Sequence, residues 1–405
     1  MQSPPNTELQ ERLGADVAGL CRFHRPSASE GERQAAEWVA SRLRAMGLEP
    51  ELEEFPFYPD YWNVWGSHAA LAGAAGVAAL LSPRLAWSAA RVSAFLAASF
   101  WGDLTCGFHW LRSCFPARRS YNVVARLPNP SAERVLVISA HHDAAHSGLV
   151  FHPAIPRLMA RNSRADGQMP AILKLPFGAL LLVTAAAWLR SRGLADFLAR
   201  PALRLGVALN GLMTALMADI GRSDVSPGAN DNASGVAVVL AMAEELSRER
   251  PANLEVWLLS TGCEEGIMGG MLAFMRRHRQ ELAGRRPFFL NFEVLGSGRP
   301  VYYQGQGFVK LYRYHPEALT LAERIAREPE FQDVTGVTTR LGDDALIPAR
   351  HGFPAITVAS ASDIGFTSNY HWATDTPENI DLRSVERAWL FSRRMVQLLD
   401  EDAGG

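Results

Sequence analysis

The stretch Ser226-Pro227-Gly228-Ala229-Asn230-Asp231-Asn232-Ala233-Ser234-Gly235 decides how this chain is read. Turn formers crowd ahead of one acidic residue. The apolar run Val236 to Leu240 then opens a helix that carries Glu244 and Glu245 near its end. Asp231 therefore stands at a loop-to-helix junction, where Gly and Asn tolerate unusual backbone angles and the chain can fold tightly. In isolation such an Asp caps its helix and does nothing more. Its company elsewhere in the chain changes that reading.

On either side of this stretch, strand and helix alternate. Asn122–Leu127 and Arg134–Ala140 read as strands, and Leu136, Val137 and Ile138 form the short apolar run of a sheet buried on both faces. Ala233–Arg248 reads as a helix, followed by a strand at Leu254–Ser260, a helix at Met268–Leu282 and a strand at Pro287–Leu295. Pro316–Arg327 is helical, Pro354–Ala359 a strand and Leu382–Leu399 a closing helix. Near the start, Thr7–Arg22 has helical spacing. Ser27-Ala28-Ser29-Glu30 reads as a capping box for a helix that Gly47 ends, and Leu48–Phe57 reads as a strand. The pattern predicts an α/β fold: three α/β/α layers around a mostly parallel central sheet. Ligands of such sheets bind beyond the carboxyl ends of the strands.

The chemistry-bearing residues fall at those ends. The strand through Ala140 delivers His141-His142-Asp143, and the strand through Ser260 delivers Cys263-Glu264-Glu265-Gly266. The strand from Pro287 delivers Asn291-Phe292-Glu293, and Tyr370-His371 follows the strand Pro354–Ala359. So many carboxylates at one edge would repel one another and raise their own pKa values unless a dication lies among them. Imidazole and carboxylate donors without thiolate suit zinc or a similar ion, in number enough for two ions that share a carboxylate. In His141-x-Asp143 the two side chains point the same way, so the carboxylate can hold the imidazole. In Glu264-Glu265 they diverge, so one can ligate while the other faces a water as general base.

These motifs together resemble the M28 family of metallopeptidases, the co-catalytic zinc aminopeptidases and their relatives. The matching stretches are Ile138 to Asp143, Gly228 to Gly235, Thr261 to Gly266, Asn291 to Gly296 and Tyr370-His371, with Asp375 to Asn379 behind them. The resemblance implies a zinc-peptidase fold of the phosphorylase/hydrolase-like kind. It also implies two zinc ions per chain, with Asp231 bridging them, Glu265 and His371 completing one site, and His141 and Glu293 the other. Glu264 would be the general base, Asp143 would orient His141, and the Asp231–Asn232 peptide would be cis. The activity implied is that of an exopeptidase, an aminopeptidase that hydrolyses N-terminal residues through a metal-bound hydroxide. The partner is then a peptide or another amino-terminal substrate. Three departures stand out. Glu293 occupies a position where many members have Asp. The segment from Asp143 to Asp231 is much longer than usual. Gly342-Asp343-Asp344-Ala345 keeps an Asp but lacks the histidine often found there. Two rivals share the fold: a glutaminyl-peptide cyclotransferase, which Asp344 suits but Tyr370 does not, and a non-catalytic membrane-held relative. His142, His146 and His152 are read as structural, Cys263 as a small buried residue, and Arg276-Arg277-His278-Arg279 as a solvated helix face.

The rest of the composition sets bounds. At 405 residues, 48% hydrophobic and 20% charged, the chain can bury a large core, and its net charge of −2 leaves no footprint for nucleic acid. The four scattered cysteines make neither a disulfide framework nor a thiolate zinc site. No cleavable signal peptide is visible at the start. The expected division is a peptidase domain over 1–60, 120–150 and 221–405, with apolar helical insertions at 61–119 and 151–220. Tyr61–Pro83 carries no formal charge and is long enough to span a bilayer; Val92–Gly102, Leu175–Leu189 and Leu205–Ala218 are shorter. Trp62, Trp65, Trp87, Trp101, Trp110 and Trp188 sit near the segment ends, as an interfacial belt would. A membrane-associated protein is expected, with a cytoplasmic one carrying a helical lid as the alternative. Arginines flank the apolar segments at both ends, so charge alone does not orient them. The oligomeric state is not legible.

Overall fold

A computed structural model describes residues 5–162 and 173–404. The chain runs through α1 (Thr7–Leu20), α2 (Glu30–Ala45), β1 (Glu51–Phe57), α3 (Tyr61–Leu81), α4 (Pro83–Leu104), β2 (Arg118–Leu127) and β3 (Arg134–His141). It continues through α5 (Ala154–Asn162), α6 (Lys174–Ser191), α7 (Asp196–Ile220), α8 (Ser234–Arg248), β4 (Leu254–Thr261), α9 (Gly269–Ala283), β5 (Phe288–Glu293) and β6 (Arg299–Gln306). The last elements are β7 (Tyr312–Arg313), α10 (Pro316–Ala326), β8 (Thr335–Thr338), α11 (Leu346–Arg350), β9 (Ala355–Ala361) and α12 (Leu382–Gly404).

The strands form one sheet in the order β1-β2-β4-β3-β5-β9-β6-β7, with β8 paired to β6. Its centre, β4-β3-β5-β9, is parallel, while β2 joins β4, β1 joins β2, β6 joins β9 and β7 joins β6 antiparallel at the margins. Every residue of β3 and β4 is buried, which is why these strands read as continuous apolar runs rather than alternating ones. Helix α8 is buried on nearly every face, from Ser234 to Ala243, and packs against β3, β4 and β5 as well as α1 and α12. The chain leaves β3 for β4 on one side and then crosses to β5 on the other. The crevice beyond the carboxyl end of β3 is therefore a topological switch point. Register places His141 opposite Thr261, and Glu293 opposite Ala359, so the ends of these strands share one edge.

Three local readings are corrected. The cap of α2 is Ser29, whose hydroxyl accepts from the Glu32 amide at 3.1 Å, so Glu30 is the first helical residue and the Ser27-to-Glu30 box does not form. Ser27 is used elsewhere, as a donor to Asp143. Strands β6, β7 and β8 carry no clean alternation in sequence and were not anticipated. Of the Arg276–Arg279 run, His278 turns inward, with Nε2 2.7 Å from Glu53 Oε1 and its ring against Trp257 and Phe274. A nine-tenths-buried site with a carboxylate partner suits an imidazole and would not suit a guanidinium.

The two apolar insertions meet. Helix α3 packs on α4 and α7, and α6 packs on α4 and α7, closing one four-helix bundle that stands on the sheet domain. Helices α4 and α7 are longer than the apolar runs inside them, because Arg84, Arg91, Arg200 and Arg204 ride on their exposed faces. Two helices, Tyr61–Leu81 and Asp196–Ile220, are long and apolar enough to cross a membrane by length and composition, where the sequence reading admitted only the first.

The central strands predict their own sensitivity. Phe289 on β5 is fully buried and touches Phe353, and Phe289→Ala leaves a cavity in the middle of the sheet. The expected loss is about 3–5 kcal/mol, read as an earlier midpoint in guanidinium unfolding followed by tryptophan fluorescence.

Candidate metal centre

All seven residues singled out from sequence converge at the carboxyl edge of the parallel strands. His141 ends β3, and its Nε2 lies 3.2 Å from Asp231 Oδ1, 3.5 Å from Glu293 Oε1 and 4.0 Å from Glu264 Oε2. His371 Nε2 lies 3.2 Å from Asp231 Oδ2 and 3.2 Å from Glu265 Oε2. Asp231 thus turns one carboxylate oxygen to each histidine. The donor atoms group as His141, Asp231 and Glu293, as Asp231, Glu265 and His371, and as His141, Glu264 and Glu265, each set within 4.8 Å. His141 Nε2, Asp231 Oδ1 and Glu265 Oε1 are buried without a hydrogen-bond partner. Buried polar atoms left in that condition are costly, and a cation among them would satisfy all three.

Backbone geometry and hydrogen bonds hold these groups in place. The Asp231–Asn232 peptide is cis, as the resemblance implied. Asp143 Oδ1 lies 3.3 Å from His141 Nδ1 without the alignment of a good hydrogen bond. Its firmer bonds go to the Ser27 hydroxyl at 2.6 Å and to the amides of Glu264 and Glu265 at 3.1 Å each. Asp143 therefore positions the glutamate pair at least as much as the imidazole. Asn232 Nδ2 donates to Glu293 Oε2 at 3.1 Å and to the Phe292 carbonyl at 2.8 Å, tying α8 to the end of β5.

Three supporting residues escaped the sequence reading. Buried Arg25 donates to the carbonyls of His142, Pro227 and Gly228 at 2.6–2.8 Å, stapling the β3 end to the Asp231 loop. Glu32 accepts from the Cys263 amide at 2.6 Å and the Ser120 hydroxyl at 3.0 Å, beneath the glutamate turn. Asp375 accepts from the amides of Asn230 and Asp231 at 2.7 and 3.1 Å. Asp375 belonged to a matching motif, but Arg25 and Glu32 carry no local signal, since their partners lie far off in sequence. His142, His146 and His152 stay outside the donor groups found among the described residues; His142 bonds Ser260 Oγ and His146 the Ser223 carbonyl, both at 2.9 Å. Asp344 accepts from Thr261 Oγ1 at the back of the site. Tyr370 stacks on His371 with centroids 3.8 Å apart, and Phe151 from the second insertion meets the same ring edge-on at 4.5 Å.

The electrostatics follow from burial and crowding. Burial pushes Glu264 and Glu293 well up, against the pull of His141, and their mutual repulsion adds to the effect. Burial likewise raises Asp344 to about 7 and Asp375 to about 7. Burial works against the cationic forms of both histidines, yet Glu293 beside His141 and Glu265 beside His371 overcome it. His141 is held well above its ordinary value, and His371 reaches about 10. Asp231 is held low against burial by its two imidazole neighbours.

Residues 215–395 match the sequence profile of peptidase family M28. The matched stretch is somewhat less than half of the chain. Among curated proteins, the chain is 28% identical over 210 residues to the "Probable lipoprotein aminopeptidase LpqL" of Mycobacterium tuberculosis, covering 44% of this chain and 41% of that protein. It is 36% identical over 72 residues to a "Probable zinc metalloprotease" of Pyricularia oryzae, covering 18% of this chain and 14% of that protein. The matches thus span less than half the length of these curated relatives. The chain also superposes on a zinc aminopeptidase from Bacillus subtilis at TM-score 0.56 and 12% identity, covering 96% of this chain and 94% of that one. On a glutaminyl cyclase from Fimbriiglobus ruber the TM-score is 0.56 at 14% identity, covering 98% and 96%. At such identities the likeness establishes the fold.

The raised histidines predict a pH response of the metal-free protein. His371 lies at about 10 in the folded chain against an ordinary 6.5. The stability it contributes is fully present below 6.5 and lost as pH rises through 10, and the raised Glu264 and Glu293 act in the same direction. The melting temperature of chelator-treated protein should therefore fall between pH 6.5 and 10, and added zinc should raise it most at the alkaline end. A flat profile would contradict the assigned coupling.

Proposed function

We propose that this chain is a zinc-dependent aminopeptidase that carries two ions. The observation that supports it most is the placement of Asp231, with one oxygen toward His141 and the other toward His371, each histidine having its own further carboxylate. In this reading His141, Asp231 and Glu293 hold one ion, and Asp231, Glu265 and His371 the other. All their donors are imidazole or carboxylate, the set that suits zinc. When bound, the ions supply Lewis acidity toward a water and toward the scissile carbonyl. Glu264 takes the water's proton at its carboxylate and returns it to the departing amine nitrogen. Its burial raises its affinity for that proton, as a general base in an enclosed site requires. Asp143, through the two amides of Glu264 and Glu265, keeps base and ligand pointing apart.

A cavity of about 470 Å³ opens beside Glu265, lined by Ser27, Tyr61, Trp62, His146 and Arg222 among others. We assign the substrate's amino-terminal residue to it. Two of these lining residues, Tyr61 and Trp62, are the first residues of α3, so the bundle supplies part of the cavity wall. We also read the enzyme as membrane-associated through that bundle. Among the described residues, all but one of the large apolar side chains that are exposed lie in the two apolar insertions, the exception being Leu149 just ahead of the second.

A second reading, glutaminyl cyclisation, is favoured by one observation: buried Asp344 directly behind the glutamate pair, with a pKa near neutrality. Metal content and turnover separate the two. The peptidase is expected to bind about two zinc ions per chain and to hydrolyse aminoacyl-arylamides. Glu264→Gln should keep the metal and lose roughly a hundred- to ten-thousand-fold in kcat. One zinc per chain, with cyclisation of N-terminal glutamine and no arylamide hydrolysis, would replace this reading with the second.

A further inference from the structure

The bundle is built inside-out relative to a soluble one. A soluble four-helix bundle hides its large apolar side chains and shows polar ones. Here the distal interior is alanine: Ala75, Ala79, Ala86, Ala90, Ala186 and Ala187 pack together with Val183 and Leu203. Glycines make the close approaches, a Cβ on Gly66 meeting Met217 and one on Gly76 meeting Val207. The large side chains face outward instead, among them Leu71, Val77, Leu81, Phe95, Leu205 and Leu212, with Leu81 80% exposed. Small residues at helix contacts and large apolar ones outside are what a lipid environment selects, because lipid tails solvate Leu as well as a protein core does. Interior polar groups are satisfied within the bundle: Ser93 Oγ bonds the Leu180 carbonyl at 3.0 Å, and His68 lies between the Val64 carbonyl and Ser99 Oγ at 2.8 and 2.9 Å. The four helices have 21, 22, 18 and 25 residues, about 27 to 38 Å at roughly 1.5 Å per residue, against a hydrocarbon core of about 30 Å. The charge-free stretches 92–102 of α4 and 205–218 of α7 are only about 16 and 21 Å long, so Arg91 and Arg204 reach the tip-side headgroups along their own aliphatic stems.

Exposed basic residues stand at both ends of the bundle. Arg118, Arg119, Arg157, Lys174 and Arg222 lie near the base, where they join long segments and the sheet domain. Five arginines lie at the tip, where the connections are short. The α3–α4 turn and the α6–α7 turn meet at the tip farthest from the sheet, where Arg190 Nε caps the Ala79 carbonyl at 2.8 Å. Arg84, Arg91, Arg192, Arg200 and Arg204 are exposed on this end, and Asp196, which pairs with Arg190 and Arg200, is its sole acidic residue. Exposed tryptophans ring both ends, Trp87 and Trp188 at the tip and Trp101 and Trp110 at the base. Below the arginines, every helix wall is free of charge as far as its base.

We infer that the bundle crosses a bilayer, with its arginine tip on the cytoplasmic side and the sheet domain on the opposite face. This rests on the membrane-associated reading above and adds the direction. The two tip turns are short, and Lys and Arg in short loops set orientation, whereas a large folded domain is translocated largely regardless of its charge. The tip arginines then also meet the anionic headgroups of that leaflet.

The test uses the full chain in bacterial cells, with Cys21→Ser and Cys114→Ser plus Ser82→Cys to report the tip. A second chain keeps its native exposed Cys114 to report the base. Membranes are washed with alkaline carbonate, and spheroplasts are labelled with a membrane-impermeant maleimide before and after permeabilisation. The expected result is a chain retained after the wash, Cys114 labelled in intact spheroplasts, and the Ser82→Cys tip labelled several-fold more after permeabilisation. An elution profile in detergent like that of the unaltered chain verifies folding of both variants. Release by carbonate would overturn the membrane reading itself and assign the apolar shell to a second copy or a protein partner. Retention with the tip labelled in intact spheroplasts would leave the anchor standing and overturn the orientation.

Discussion

Four carboxylates and two imidazoles share one buried space at the carboxyl edge of the sheet, and much of the surrounding architecture exists to hold them there. Without a cation, burial raises the proton affinity of Glu264 and Glu293, and the carboxylates beside His141 raise its own against burial. The cost of keeping these groups together is carried by a dense set of hydrogen bonds just beneath them. Arg25 staples three carbonyls, Asp143 gathers two amides, and Asp375 gathers two more. Removing any of these leaves a buried polar group unpaired, which costs more than the bond itself contributes.

The parallel centre of the sheet makes that convergence geometrically easy. Four strands ending at the same edge deliver their next residues into one crevice, and the reversal of strand order at β3 opens space there. His141 occupies the switch point, with Glu293 from β5 on one side and the glutamate turn after β4 on the other. Asp231 arrives from the amino end of α8, in front of the same crevice. The insertions do not disturb this frame, since they enter between β1 and β2 and between β3 and α8. They do contribute to the site's rim, through Tyr61, Trp62 and Phe151.

The same chain therefore contains two packing regimes. In the sheet domain large apolar side chains go in, and Trp257, Phe274, Phe288 and Phe391 are among the most buried. In the bundle alanine and glycine go in and large side chains go out. Both regimes minimise the apolar surface facing water once the bundle's outer face is covered, as lipid would cover it. The cavity beside Glu265 lies at the junction of the two, with Tyr61 and Trp62 at the start of α3 in its wall.

The sequence by itself determined the α/β alternation, the buried character of β3 and β4, and all seven residues of the candidate centre. Those signals are local: apolar runs of strand length, and acidic or imidazole residues within a few positions of a strand end. What only the tertiary structure decided depends on partners far apart in the chain. Arg25 and Glu32 look like ordinary surface charges until β3, β4 and the Asp231 loop close over them. His278 looks like one member of a solvated run until Glu53 and Trp257 face it. The arginines around the apolar segments carry no direction in one dimension, because each segment has them at both ends. Antiparallel packing of the two hairpins brings five exposed ones to a single tip. Strand ends can be read from a short window of residues, whereas the side on which a charge finally stands is set by which helices pack together.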